Sequence, residues 1–223
     1  VTSIAETVSA TGERRLWIGG DTGLSRFDGD GWIVDDSCPL RLIKSLLADD
    51  RGAALLAGSA QTGCMRWSDG DWTSVTPEGD LPSDAIQCLH ATAAAHGGRV
   101  VWFGTDQGLV RLDERGWRHY TTADGLPHHY VYTIASTVDR DGAASLWVGT
   151  NGGGLARLRG ESWTIFDADS GLPNNIVMSV CEVSGADGRR SLWVGTQGAG
   201  AAVADLDAAR LRWRVFSDET APA

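Results

Sequence analysis

The chain has 223 residues, 42% of them apolar and 22% charged, which suits one large globular domain or two small ones and excludes a disordered tract. The balance of 19 basic against 29 acidic residues leaves a net charge of −10, a sign that argues against nucleic acid and against anionic lipid as partners. No apolar run approaches the ~20 residues of a membrane span, so this segment is not expected to insert in one, and 29 glycines against 6 prolines indicate many tight turns.

The chain opens at Val1 with no initiator Met, no basic n-region and no apolar h-region, and is expected to be a piece of a longer one. The first strand-like segment starts at Val1-Thr2-Ser3-Ile4. Next comes Leu16-Trp17-Ile18-Gly19, and the same string returns as Leu55-Leu56-Ala57-Gly58, Val101-Trp102-Phe103-Gly104, Leu146-Trp147-Val148-Gly149 and Leu192-Trp193-Val194-Gly195. The four intervals between its glycines are 39, 46, 45 and 46 residues, a period that signals a repeat architecture. A second tryptophan follows each string, at Trp32, Trp72, Trp117, Trp163 and Trp213. Trp67 falls where Phe27, Leu112 and Leu158 fall, and is expected in the core.

Each period holds four short segments rich in β-branched and aromatic residues, here called strands a, b, c and d. In the fourth period they are Val131–Ala135, the Leu-Trp-Val-Gly string, Gly154–Leu158 and Ser162–Phe166. Asp28-Gly29-Asp30-Gly31 and Asp139-Arg140-Asp141-Gly142 supply hairpin turns, since glycine accepts positive φ. The final d strand is expected over Leu211–Phe216, and helix is nearly absent.

Four antiparallel strands repeated every ~45 residues specify an all-β chain, a β-propeller of five four-stranded blades. The blades fall at about 1–37, 38–80, 81–125, 126–171 and 172–223 of a single domain. Tryptophan, burying roughly 150–250 Å², fits the wide outer space between blades. Five blades either close into a ring or belong to a larger one, and the second alternative leaves two apolar faces bare.

The repeat resembles a known family. Leu146-Trp147-Val148-Gly149-Thr150, Gly154-Leu155-Ala156-Arg157 and Gly171-Leu172-Pro173, with Leu126-Pro127 and Leu81-Pro82, resemble the two-component regulator propeller repeat over almost the whole chain. The resemblance implies an extracytoplasmic sensor domain of a bacterial signalling protein, in a family whose rings are often larger than five blades. The chain departs from the pattern at Leu56, at Cys38-Pro39-Leu40 in place of Gly-Leu-Pro, and at Val203 where Arg26, Arg66, Arg111 and Arg157 stand.

In a propeller of this strand order the d–a and b–c loops emerge together around the channel mouth. Within strand a, Val1, Ile43, Ile86, Val131 and Val177 are alike, as are Ser3, Ser45, Cys88, Thr133 and Ser179. The residues between them, Thr2, Lys44, Gln87, Tyr132 and Met178, differ completely and are free to read a ligand. The d–a loops add Arg41, Asp84, His128, His129, Tyr130, Asn174 and Asn175; the b–c loops add Asp21, Gln61, Asp106, Asn151 and Gln197. Such a polar and aromatic rim suits a small molecule, glycan or peptide.

Several chemistries are weighed against this. His128-His129 invites a metal, but neighbours in a strand point to opposite sides. The Asp-x-Asp-Gly strings lack the rest of a calcium loop and read as turns. His90, His96 and His119 have no partner in sequence. Cys38, Cys64, Cys88 and Cys181 form no C-x-x-C pair and are expected as buried single thiols. Asp21, Asp84 and Asp106 lie on three blades as carboxylates for a glycoside hydrolase, the least favoured function. The primary expectation is a non-catalytic sensing propeller without cofactor or metal. A stand-alone protein- or glycan-binding scaffold is the alternative, and a homodimer formed through other domains is the remaining partner expectation.

Overall fold

The computed structural model describes residues 1–9, 11–27, 29–49, 53–76, 81–94, 97–208 and 210–217. Asp28, His96 and the blade limits at 80 and 223 lie outside the described residues. The chain forms two compact units, one of residues 1–106 and 110–119, the other of 107–109 and 120–223.

Five four-stranded antiparallel sheets follow one another, each a meander in sequence order. The first is β1 (Ser3–Val8), β2 (Arg14–Gly20), β3 (Gly23–Phe27) and β4 (Trp32–Val34); the second is β5 (Ile43–Asp49), β6 (Ala54–Ser59), β7 (Cys64–Ser68) and β8 (Asp71–Ser74). The third is β9 (Ile86–Ala93), β10 (Arg99–Thr105), β11 (Leu109–Asp113) and β12 (Gly116–Tyr120). The fourth is β13 (Val131–Val138), β14 (Ala144–Thr150), β15 (Leu155–Arg159) and β16 (Ser162–Phe166). The fifth is β17 (Val177–Ser184), β18 (Arg190–Thr196), β19 (Ala201–Asp205) and β20 (Arg214–Phe216). These sheets are propeller blades. Among the described residues the helical content is one 3-10 turn, Thr122–Asp124, capped by Thr121.

The repeated residues have repeated tasks. In unit 1, Trp17 packs with Leu24, Leu46, Leu55 and Trp67 between the first and second blades, its ring 5.0 Å from that of Trp67. Leu56, Ile86, Leu89 and Phe103 fill the space between the second and third. In unit 2, Trp147 and Leu155 pack on Leu192, Val194 and Ala202 of the fifth blade. Each strand-b indole also needs an acceptor for its N–H. Trp17, Trp102 and Trp147 donate to Thr7, Thr92 and Thr137 at 2.8, 3.0 and 2.9 Å. Trp193 uses Ser191 at 3.1 Å.

The strand-b glycine is set by close approach of the next blade. A Cβ on Gly58 would lie 2.6 Å from Ile86 Cγ2, and one on Gly149 2.6 Å from Val177 Cγ1. The small strand-a residue ties neighbouring blades together: the Ser3 and Ser45 hydroxyls accept from the N–H groups of Leu46 and Leu89, both at 2.9 Å.

Three expectations need correction. Val1 was grouped with Ile43, Ile86, Val131 and Val177, which are fully buried, yet it is 84% exposed and β1 starts at Ser3. Among the described residues of unit 1 no sheet covers that side of the first blade, where Ile4, Trp32 and Val34 are exposed too. The last d strand begins at Arg214 rather than Leu211, because Leu211 and Trp213 turn into the apolar cluster of unit 2. All four cysteines are free, but Cys181 is exposed and Cys88 half-buried. Cys181 pairs with Trp193 on the face of β17 and β18 turned away from the fourth blade.

Candidate recognition site

Backbone hydrogen bonds bring the d–a and b–c loops together in both units. In unit 1, Leu42 N–H donates to Asp21 O at 3.1 Å and Gly63 N–H to Asp84 O at 2.9 Å. In unit 2, Asn151 N–H donates to Tyr130 O at 3.0 Å, Gly154 N–H to Asn175 O at 2.8 Å and Gln197 N–H to Ile176 O at 3.0 Å.

The variable strand-a residues have a physical identity that spacing alone did not reveal. The a–b ladder shifts register between Ile43 and Ser45, between Val131 and Thr133, and between Val177 and Ser179. It shifts likewise where Cys88 pairs with Gly104 but Ile86 with Thr105. Lys44, Gln87, Tyr132 and Met178 are therefore the extra residues of β-bulges. A bulged residue has no ladder partner and its side chain is re-aimed, so the fold places little demand on its type.

In unit 1 the rim is polar and partly committed. Lys44 Nζ lies 3.9 Å from the exposed Asp21 carboxylate. Arg41 donates to Cys38 O and Leu40 O at 3.1 and 2.8 Å, which pins its own linker. The Thr2 hydroxyl donates to Gly19 O at 3.1 Å and bonds Ile43 O. Asp84 and Gln61 are exposed and Gln87 is half-buried. Asp106 is half-buried, and its Oδ1 is buried with no hydrogen-bond partner among the described residues.

In unit 2 the rim is aromatic. The rings of His128 and His129 stack with centroids 4.4 Å apart and planes 21° apart. Tyr130 and Tyr132 sit 4.8 Å apart at 51°. His128 Nδ1 accepts from Tyr130 N–H at 3.0 Å, which requires the neutral ring. Burial, reinforced by His129, holds the His128 pKa below its ordinary value. Asn151 is half-buried beside them and bridges to Ile176. Asn174 Oδ1 accepts from Ile176 N–H and Asn175 Oδ1 from Ala168 N–H, both at 2.7 Å, so both amides shape the linker. Gln197 and Met178 are exposed.

Contrary to the expectation from strand alternation, His128 and His129 do not point apart. They lie in the loop before β13, not in a strand, and their rings share one side. Among the described residues no three His, Cys, Asp or Glu side chains converge as a metal site. Asp139 and Asp141 serve the a–b turn: Asp141 accepts from Ala143 N–H at 3.2 Å, and Asp139 accepts from Ser145 and Arg157 at 2.9 and 2.5 Å.

Sequence reading missed the task of the strand-c arginine. The Arg157 guanidinium lies 5.3 Å from the Trp147 ring centroid and binds Ser145 and Asp139. Arg66 reaches Asp49 at 3.0 Å in the same way. The signal was present in Arg66 and Arg157 recurring with an aspartate at the end of strand a or just after it, Asp49 and Asp139.

No protein-family model matches the chain, nor does any curated protein. Among solved structures it is similar to the extracellular domain of the putative hybrid two-component system BT3049 from B. thetaiotaomicron, at 23% identity and a TM-score of 0.68. That match covers 95% of this chain and 29% of the other, so the chain spans under a third of that domain. It is also similar to virginiamycin B lyase from Staphylococcus aureus, with 19% identity, a TM-score of 0.56, and 98% and 71% of the two chains covered. YCF48 bound to D1 peptide aligns at 13% identity and a TM-score of 0.56, over 96% of this chain and 66% of that one. The likeness is one of fold, and the fold is the β-propeller.

Proposed function

We propose that the chain is a non-catalytic recognition propeller of a bacterial signalling protein, placed outside the cytoplasm. It binds a small molecule, glycan or peptide where the d–a and b–c loops meet. The observation that carries this reading is the bulge. At one position of strand a, four blades release a residue from the ladder, and the residues there are Lys44, Gln87, Tyr132 and Met178. Bulges serve to aim side chains, and aromatic faces with a few polar groups are what oriented ligand binding needs. Unit 2 supplies this set most fully, with Tyr132, Tyr130, His128 and His129 in ring contact. The resemblance of the repeat to two-component regulator propellers, and the extracellular sensor domain among proteins of the same fold, support the signalling role.

The test is binding of the chain to an immobilised panel of neutral and acidic oligosaccharides and short peptides. Tyr132→Ala and His129→Ala are compared with the unaltered protein, and circular dichroism monitors folding. Roughly tenfold weaker binding by folded variants is expected, the order of effect of losing an aromatic anchor. A panel response that neither substitution changes refutes the assignment to this rim.

A further inference from the structure

Unit 2 carries a second concavity that shares no residue with the rim. Between β19 and β20 the fifth blade has eight residues, of which 206–208 and 210–213 are described, where the fourth has 160 and 161 alone between β15 and β16. Leu206, Ala208, Arg210 and Leu211 of this connection line a cleft of about 800 Å³ with residues of the fourth blade. Trp147, Ile165, Phe166, Leu206 and Leu211 give it an apolar lining. An adjoining hollow of about 410 Å³ is formed by Ser170, Arg210, Leu211, Arg212 and Trp213.

Two features of this flank call for one kind of occupant. The first is charge. Arg210 and Arg212 are exposed, and among the described residues no carboxylate pairs with either. Asp139 and Asp141, at the other side of the cleft, are already bound by Arg157 and Arg159. Asp169 is the carboxylate that lines the cleft outside those pairs. On a chain of net charge −10, a hollow lined by two unpaired arginines is a place for an anion. The second is an open edge. Among the described residues β16 is the last strand of its sheet and pairs with β15 only, and its Thr164, Ile165 and Phe166 line the cleft.

We propose that this flank docks an extended acidic–aliphatic peptide. The peptide runs along β16 and adds main-chain hydrogen bonds to its free edge. An aliphatic side chain rests on Phe166, Leu206 and Leu211. A carboxylate two residues further along, on the same face of the strand, is paired by Arg210 and Arg212. An acidic glycan would meet the cations but leave the aliphatic lining and the strand edge unused.

The probe is a fluorescein-labelled Gly-Leu-Ser-Glu-Ser-Leu-Ser-Glu-Gly peptide, whose Leu and Glu side chains share one face when extended, read by fluorescence anisotropy with the full chain, beside the same peptide with Gln for Glu. The Glu peptide is expected to bind at least tenfold tighter. Arg210→Ala with Arg212→Ala should cost about tenfold. Tyr132→Ala should leave this affinity unchanged, which separates the cleft from the rim. Equal affinity for the two peptides, or no effect of the double arginine substitution, overturns the proposal. So does binding of tetragalacturonate with neither peptide bound. A concentration-dependent rise in mass that the arginine substitutions abolish assigns the cleft to a second copy and overturns it as well.

Discussion

Gly58→Ala tests why every strand b has glycine just before its last residue. The added Cβ would stand 2.6 Å from Ile86 Cγ2, 3.1 Å from Ile86 Cβ and 3.4 Å from Leu89 Cδ1. Ile86 is fully buried against the second blade, so it cannot swing into solvent. Overpacking of this kind costs about 1–3 kcal/mol. In a chain of this length that is roughly 2–4 °C of melting temperature per kcal/mol. Gly31→Ala is the control, because a Cβ there meets nothing within 4 Å and no positive φ is required. Ile86→Ala removes the obstructing methyl and leaves a cavity of its own, costing about 2–5 kcal/mol. In the double variant the two changes partly cancel, and a coupling of about 0.5–3 kcal/mol is expected. The assay is thermal and urea unfolding followed by tryptophan fluorescence. A neutral Gly58→Ala, or strict additivity in the cycle, would show that inter-blade contact is not what excludes a side chain.

Two further outcomes follow from the thiols and from His128. Cys181 is exposed, Cys38 and Cys64 are buried, and burial pushes the Cys88 thiol up to about 12. Since the thiolate is the reactive form, a disulfide reagent at pH 8 should label one thiol fast and Cys181→Ser should remove that phase; a second fast thiol contradicts the packing of β9. The His128 pKa is lowered in the folded chain, so the unfolded chain takes up its proton first as pH falls. Its contribution to stability is complete above the ordinary value of 6.5 and is lost as pH falls through the folded value. An NMR titration of its ring should show a midpoint under 6.5, and a higher one contradicts the neutral Nδ1 acceptor.

The blades were legible because neighbouring blades within each unit repeat the same contact. Leu146-Trp147-Val148-Gly149 states its environment residue by residue: an indole for the outer space, flanking aliphatics for the core, and a glycine where Val177 presses in. The bulge was legible only as a symptom, a column of unlike residues between two constant ones. What failed depended on the neighbour rather than on the residue. Val1 and Cys181 match their repeat positions and still meet solvent, because the covering sheet is missing on that side within their units. His128 and His129 follow loop geometry, which strand alternation does not govern. Asn174 and Asn175 looked like open polar groups, but their side-chain oxygens cap the linker. The outer cleft left one trace, the lengthened connection before Trp213.

Hydrogen exchange measured by mass spectrometry, with and without the strongest binder from the panel, locates recognition most directly. Slower exchange in segments covering 127–133, 150–153 and 174–178, with Tyr132→Ala abolishing it, is the expected result. Protection confined to the opposite turns, such as 139–143 and 159–162, would contradict recognition at the bulged end of the blades.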